Sequence, residues 1–339
     1  MDVRGWGEIV FTIALTVALA WPLGIYMARV WQRESTWLDP VLRPVEGVLY
    51  AAFGVDAKKG QGWLGYTMAF LAFSAASFVV LYLILRLQNL LPLNPQHFAG
   101  MSPHLAFNTS VSFVTNTNWQ SYVPETSVST FSQMAGLTSH NFLSAAAGIA
   151  VAAALSRAFA ANRGEKIGDF WVDLTRISLY ILLPFSVLIA LAYVALGEPQ
   201  TLAAHATATT LEGAKQTIAL FPTASQEAIK QFGTNGGGLF NVNSAHPFEN
   251  PNAITNLIEI VSMNVLGYAC VVAFGRVVLR FRDARALVVV MALFVLGASA
   301  AVYATETQPA PALVAAHADG GHAVKQHDQH AQARFSRAA

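Results

Sequence analysis

Val111-Ser112-Phe113-Val114-Thr115-Asn116-Thr117-Asn118-Trp119-Gln120-Ser121-Tyr122 lies between two long apolar segments and decides how the chain is read. A short helix-like segment, His104 to Val114, runs into the small and polar residues Thr115 to Gln120. An aromatic follows, Tyr122, and then another apolar segment. The same grammar returns further on. Ser225 to Phe232 leads into Gly233-Thr234-Asn235-Gly236-Gly237-Gly238, followed by Phe240. Both connections are too long for turns and too apolar for ordinary loops. Span, half-helix, irregular backbone, span, occurring twice with Thr115 and Thr234 in register, is a parallel repeat of the kind that builds pores about an axis normal to the membrane. Irregular backbone at membrane depth is tolerated only where it is buried in protein or lines water.

Such backbone has a use. A ring of carbonyl dipoles can replace the hydration shell of a potassium ion, and a half-helix aims its negative carboxyl end at the site. Aligned carbonyls call for positive φ at some positions, which Gly236, Gly237 and Gly238 are expected to supply. Thr and Asn add neutral oxygens. Neither run contains a carboxylate, which argues against a divalent site. Taken alone, the glycine run reads as a flexible turn. It is no phosphate cradle, since no Gly-Lys-Ser or Gly-Lys-Thr follows it. Two matched runs between spans of the same orientation favour a cation pathway.

Composition agrees with the membrane. Of the 339 residues 54% are hydrophobic and 12% charged, and mean hydropathy is +0.45; soluble domains carry about 25% charged residues. A net charge of +1 recruits no nucleic acid. The one cysteine, Cys270, lies in an apolar run, excludes an intrachain disulfide framework and reads as a small core residue. A bilayer core about 30 Å thick needs roughly 20 apolar residues in helix. Six segments qualify: Glu8 to Val30, Trp63 to Leu85, Gln133 to Leu155, Ile177 to Leu196, Ile254 to Phe274 and Ala286 to Tyr303. Thr138, Ser139, His140 and Asn141 interrupt the third and are expected to face a helix neighbour or a cavity.

Most of the 20 basic residues fall in alternate connections: Arg29, Arg33, Arg43, Lys58 and Lys59; Arg157, Arg163, Lys166 and Arg176; Arg276, Arg280, Arg282 and Arg285. The opposite connections hold little beyond Lys215 and Lys230. The basic loops are therefore expected in the cytoplasm and the amino terminus outside. Arg86 is expected to snorkel at the outer end of span two. Ala18-Leu19-Ala20 raises a signal peptide, but basic residues follow the apolar run, so a retained first span is expected.

Other candidates carry alternatives. His246, Glu249 and Asn250 follow the second loop and read either as an outer vestibule or as a rigid turn set by Pro247 and Pro251. Glu259 falls inside span five, where a carboxylate is a functional hypothesis by default unless it pairs locally near the end. His317, His322, His327 and His330 lie in a polar tail that reads either as a metal-binding stretch or as disorder. No nucleophile has a partnered base, and nothing resembles an ATP site.

The two loop words closely resemble the first two pore loops of the potassium-binding A subunits of Kdp potassium pumps. So do Phe131-Ser132-Gln133-Met134-Ala135-Gly136-Leu137-Thr138 and the stretch from His246 to Pro251. The similarity runs from about residue 8 to about residue 305. It implies an all-α polytopic protein of the superfamily of K+ transporters, in which four span–pore–span repeats form a pseudo-fourfold filter. It implies a non-catalytic subunit of a bacterial inner-membrane complex that selects K+ outside and passes it through an intramembrane tunnel. The implied partners are an ATP-hydrolysing B subunit, a C subunit and a small F subunit, with no organic cofactor. By that resemblance Thr115, Asn116, Thr117, Asn118 and Gln120 line repeat one, and Gly233, Thr234, Asn235, Gly236, Gly237 and Gly238 line repeat two. Gln120 and Gly236 carry the most weight.

The expected organisation is an extra helix and cytoplasmic loop over 1–62, repeat one over 63–160, repeat two over 170–280, the opening helix of a third repeat over 286–304 and a polar tail over 305–339. Family chains are considerably longer, so half the filter ring is absent here. A truncated or frameshifted gene, a split subunit completed by a second chain, and a short form of altered function stay open. A passive channel or symporter subunit and a non-functional remnant are the rival functional readings.

Overall fold

A computed structural model of the chain describes residues 3–161, 166–203 and 205–306. The tail histidines His317, His322, His327 and His330 lie outside the described residues. In chain order the helices of the first half are α1 (Val3–Trp31), α2 (Asp39–Phe53), α3 (Trp63–Arg86), α4 (Pro103–Val114), α5 (Pro124–Ser127) and α6 (Ser139–Ala160). They are followed by α7 (Phe170–Arg176), α8 (Leu183–Ala195), strands β1 (His205–Thr209) and β2 (Lys215–Ala219), and helices α9 (Thr223–Phe232), α10 (Ala253–Val277) and α11 (Phe281–Glu306). Wide π turns, Ser132–Thr138 and Ile177–Leu182, join smoothly onto α6 and between α7 and α8.

Six helices among the described residues are long and apolar enough to cross a membrane: Val3–Trp31, Trp63–Arg86, Ser132–Ala160, Phe170–Ala195, Ala253–Val277 and Phe281–Glu306. The protein is thus a multi-pass, helical membrane protein. The third and fifth spans bury half of their apolar windows, the second and sixth only 11% and 6%. The third and fifth spans therefore pack more closely against the other described elements than the second and sixth do.

Two departures from the sequence reading have local causes. The antiparallel hairpin β1–β2 pairs His205 with Ala219 through Thr209 with Lys215; its alternating Thr residues suit a two-stranded ribbon, and no strand was expected there. The π turns fall where polar side chains enter the spans, a place where extra residues are often accommodated. The Arg86 guanidinium donates to the Met101 carbonyl.

The described residues form two compact units. In the larger, Leu15–Val288, α1 crosses α10 closely. A side chain at Gly24 would come 2.6 Å from the Ala269 carbonyl oxygen, so only hydrogen fits there, the small-residue contact typical of membrane helices. At one end of this unit Arg176 pairs with both oxygens of Glu46 at 3.0 Å, and Tyr50 and Tyr180 donate to the same carboxylate at 2.8 and 2.9 Å. Arg157 pairs with Asp173, which also accepts from Tyr66 at 2.9 Å. Tyr66, Arg157, Asp173 and Arg176 lie near span ends, and the bonds from Arg176 and Tyr180 to Glu46 tie α2 to the fourth span. In the smaller unit, which joins the start of α1 to α11 from Val289, Trp6 meets Tyr303 edge-on at 5.7 Å.

Candidate functional site

The half-helices α4 and α9 end in the same way. In α4 the Thr117 N–H returns to the Ser112 carbonyl at 2.9 Å and Asn116 N–H to Phe113 at 3.3 Å. In α9 the Asn235 N–H returns to Lys230 at 2.9 Å and Thr234 N–H to Gln231 at 3.1 Å. Both are Schellman caps, with the left-handed position occupied by Asn116 (φ 61°) and Thr234 (φ 55°). The caps therefore align Asn116 with Thr234, one residue away from the register in which Thr115 matches Thr234.

Glycine does not supply the positive φ. Gly233, Gly236, Gly237 and Gly238 all lie outside the left-handed region, whereas Asn116, Asn118 (φ 59°) and Thr234 lie inside it. Asn tolerates this geometry and Thr, being β-branched, is strained by it. The glycines instead give room. A Cβ on Gly237 would come 2.6 Å from the Asn118 carbonyl oxygen, and one on Gly238 would come 2.6 Å from Glu249 Oε1 and 2.7 Å from Lys230 Nζ. At Gly236 the nearest atom is the Thr117 carbonyl oxygen at 3.8 Å.

Three polar rungs stitch the loops together. Asn116 Nδ2 donates to the Gly233 and Thr234 carbonyls, each at 3.3 Å, while its Oδ1 accepts from Ser144 at 2.7 Å. Asn118 Nδ2 donates to Asn235 Oδ1 at 3.2 Å and to Asn141 Oδ1 at 2.6 Å, and Asn235 donates to the Asn141 carbonyl at 2.9 Å. Gln120 takes the Gly238 N–H at 2.9 Å and returns a hydrogen bond to its carbonyl at 3.0 Å. The buried asparagines thus pair 117 positions apart, against 118 for the caps, so repeat one accommodates one extra residue before Asn118. Thr115 bonds within its own loop, to Thr117 Oγ1 at 2.9 Å.

With these side chains used as struts, the main chain supplies the free oxygens. No described group donates to the carbonyls of Thr117, Asn118, Gly236 or Gly237. Thr117, Asn118, Gln120 and Gly236 line one polar cleft of about 390 Å³, with Trp119, Ser121, Asn241 and Asn243. Thr115, Asn116, Gly233, Thr234, Asn235, Gly237 and Gly238 are not among its lining residues. No carboxylate is among the cleft's lining residues.

Asn141, read in the sequence only as a polar interruption of span three, and Ser144, not singled out there, tie that span to the loops. Lys230, which reads as a loop charge, is fully buried on α9, with Glu227 at 2.5 Å and Glu249 at 3.2 Å. Glu227 also accepts from Gln231 at 2.6 Å and Ser244 at 2.8 Å. Burial alone would depress Lys230, but Glu227 and Glu249 hold it above its ordinary value. Burial lifts Glu249 to about 7 against the pull of Lys230. Burial, reinforced by Glu227, Glu259 and Glu249, pushes Glu198 up to about 9. The stretch after the second loop behaves as a built turn with one inward arm: His246 stacks on Phe240 at 3.8 Å, Asn250 bonds Asn256 and Glu259, and Glu249 turns in to Lys230. Cys270 is half-buried in α10.

The sequence profile of the family described as KdpA, Potassium-transporting ATPase A subunit, matches residues 10–333. The chain belongs to this family. Among curated KdpA relatives it is 72% identical over 319 residues to the potassium-transporting ATPase potassium-binding subunit of Beijerinckia indica subsp. indica, covering 94% of this chain and 56% of the relative. It is 61% identical to the protein so named from Caulobacter sp. (strain K31) and 59% to that from Caulobacter vibrioides, with the same coverage of both chains. The chain spans about half the length of the curated KdpA relatives it matches.

Proposed function

We propose that this chain forms the potassium-selecting part of an ATP-driven potassium importer, with the cleft between its two loops as half of the filter. The observation that carries the reading is the division of labour in the loops. Side chains stitch the two loops into a fixed frame, and the carbonyls of Thr117, Asn118, Gly236 and Gly237 have no donor among the described residues. Neutral, fixed carbonyl oxygens suit a dehydrated monovalent cation that must also leave. The names of the relatives, with potassium as the bound ion and an ATPase as the machine, support the same conclusion.

In this reading Thr117, Asn118, Gln120 and Gly236 contact or frame the ion, and Thr115, Asn116, Gly233, Thr234, Asn235, Gly237 and Gly238 position them. Two loops surround half of an ion, so two further loops complete the ring. The chain itself hydrolyses nothing. It delivers K+ to an ATP-hydrolysing B subunit, with C and F subunits in the complex. It sits in the bacterial inner membrane with its amino terminus outside, because the basic connections mark the cytoplasmic face.

The test is K+-stimulated ATP hydrolysis by the purified complex. Gly236→Asp brings a carboxylate into the cleft, and the expected result is a large rise in half-saturating K+ with the complex still assembled. An unchanged K+ dependence in an assembled complex counts against the filter. Co-purification with a P-type ATPase chain separates the importer from a passive channel.

A further inference from the structure

Gly238 is held on two fronts. Gln120, from repeat one, engages both its N–H and its carbonyl. Lys230 and Glu249, from repeat two, crowd its Cα so closely that a side chain there would have to displace them or the loop. Glu249 Oε1 also accepts the Leu239 N–H at 3.3 Å. One ammonium and one carboxylate therefore brace the Gly238–Leu239 segment, in a region from which solvent is excluded: Lys230, Glu227 and Glu249 are each 1% exposed.

The equivalent place in repeat one has a smaller brace. The matching caps put Ser112 where Lys230 stands, since each accepts the returning N–H of its loop. The Ser112 hydroxyl accepts the Trp119 N–H directly. Position-equivalent side chains on both half-helices thus support the segment just past the carbonyls of the cleft. In repeat one a hydroxyl suffices; in repeat two an ion pair does the work.

We propose that Lys230 is a positioning residue for ion selection, its ammonium fixing Glu227 and Glu249 so that Glu249 and Gln120 together hold Gly238 and set the placement of the Gly236 and Gly237 carbonyls. The inference rests on the filter reading above. Lys230 does not touch the ion. It acts through Glu249 and the loop backbone, in the way that supports around a site fix the groups that do the binding. A buried ammonium with two carboxylate partners is a costly arrangement unless every group is satisfied, so its effect on geometry is stiff.

The test uses the whole purified complex and two variants. Lys230→Met alone leaves Glu227 and Glu249 facing each other without a cation and is expected to lower the yield of assembled complex. Lys230→Met combined with Glu249→Gln removes one positive and one negative charge, so the net charge of the cluster is unchanged, the two carboxylates no longer face each other, and Glu227 keeps its bonds from Gln231 and Ser244. In the paired variant the expected result is normal assembly, a maximal hydrolysis rate within about twofold of the parent, and a roughly tenfold rise in half-saturating K+. Discrimination of K+ against Rb+ and Na+ falls with it. A purely structural role would lower yield and rate but leave the ion preference alone. An assembled paired variant with unchanged preference overturns the proposal. If the paired variant does not assemble, Gly238→Ala takes its place, since its methyl pushes the loop off the same brace; unchanged ion preference there also overturns it. A parent complex that K+ fails to stimulate counts instead against the filter reading.

Discussion

Asn118 and Asn235, one from each loop, donate to the same residue: Asn118 to the Asn141 side chain at 2.6 Å and Asn235 to its carbonyl at 2.9 Å. They also bond each other at 3.2 Å. One position in span three thus sets the distance between two loops that are far apart in sequence.

Replacing Asn141 with Ala removes the side-chain acceptor of Asn118 and keeps the backbone carbonyl that Asn235 uses, so the second loop is affected only through the Asn118–Asn235 bond. The Asn118 amide loses its shorter bond in a buried setting, a cost of about 1–3 kcal/mol. The expected outcome is a lower melting temperature in detergent and a weakened preference for K+ over Na+. Unchanged values in both would show that the rung is incidental.

Neighbouring glycines should differ in their tolerance of a methyl group. Gly236→Ala meets nothing closer than 3.8 Å, while Gly237→Ala runs into the Asn118 carbonyl oxygen at 2.6 Å. The second should cost about 1–3 kcal/mol through overpacking, and the first little. Thermal melting of the two variants side by side decides this, and a reversed order would refute the packing role given to Gly237.

Glu46→Ala should be among the most damaging single changes away from the loops. It leaves Arg176 without its carboxylate and Tyr50 and Tyr180 without an acceptor. Breaking a buried pair in this way costs about 3–5 kcal/mol. Proteolysis of the α2 segment should accelerate; equal cleavage rates would mean that α2 is held by other contacts.

Glu198 makes stability depend on pH. Its pKa is pushed up to about 9 by burial and neighbouring carboxylates, so the folded state keeps its proton more tightly than the unfolded chain does. That contribution is complete below the unfolded value near 4.5 and is lost as pH rises toward about 9. Glu198→Gln cannot titrate. Relative to the parent, it should melt higher at pH 8.5 and lose that advantage at pH 5. Parallel curves across the range would argue that Glu198 is hydrated.

The spans were legible because each is long enough and apolar enough to declare itself, and Thr115 to Gln120 and Gly233 to Gly238 stood out as polar runs between them. What the sequence hid was the use of those residues. Three glycines in a row invited a conformational explanation, but the left-handed positions belong to Asn116, Asn118 and Thr234, where the capping turns fall. The glycines matter for space, which depends on what packs against them. Lys230 looked like a solvated charge because α9 is short and strongly amphipathic; the partner that buries it, Glu249, comes 19 positions later within a Pro-bounded turn. The three-residue spacing of Glu227 and Lys230, on one helical face, was the available clue. Asn141 was seen as a polar interruption of a span, but no pattern in one sequence says which loop such a residue serves.

The stitch through Asn141 also imposes a timetable on biosynthesis. Asn118 and Asn141 leave the ribosome early, yet Asn235 is made 117 residues after Asn118. At about 5–20 residues per second, that is a wait of roughly 6 to 23 seconds. During it the first loop has its polar groups in place and no partner to close on, so the nascent chain must be sheltered by the insertion machinery until the second loop arrives.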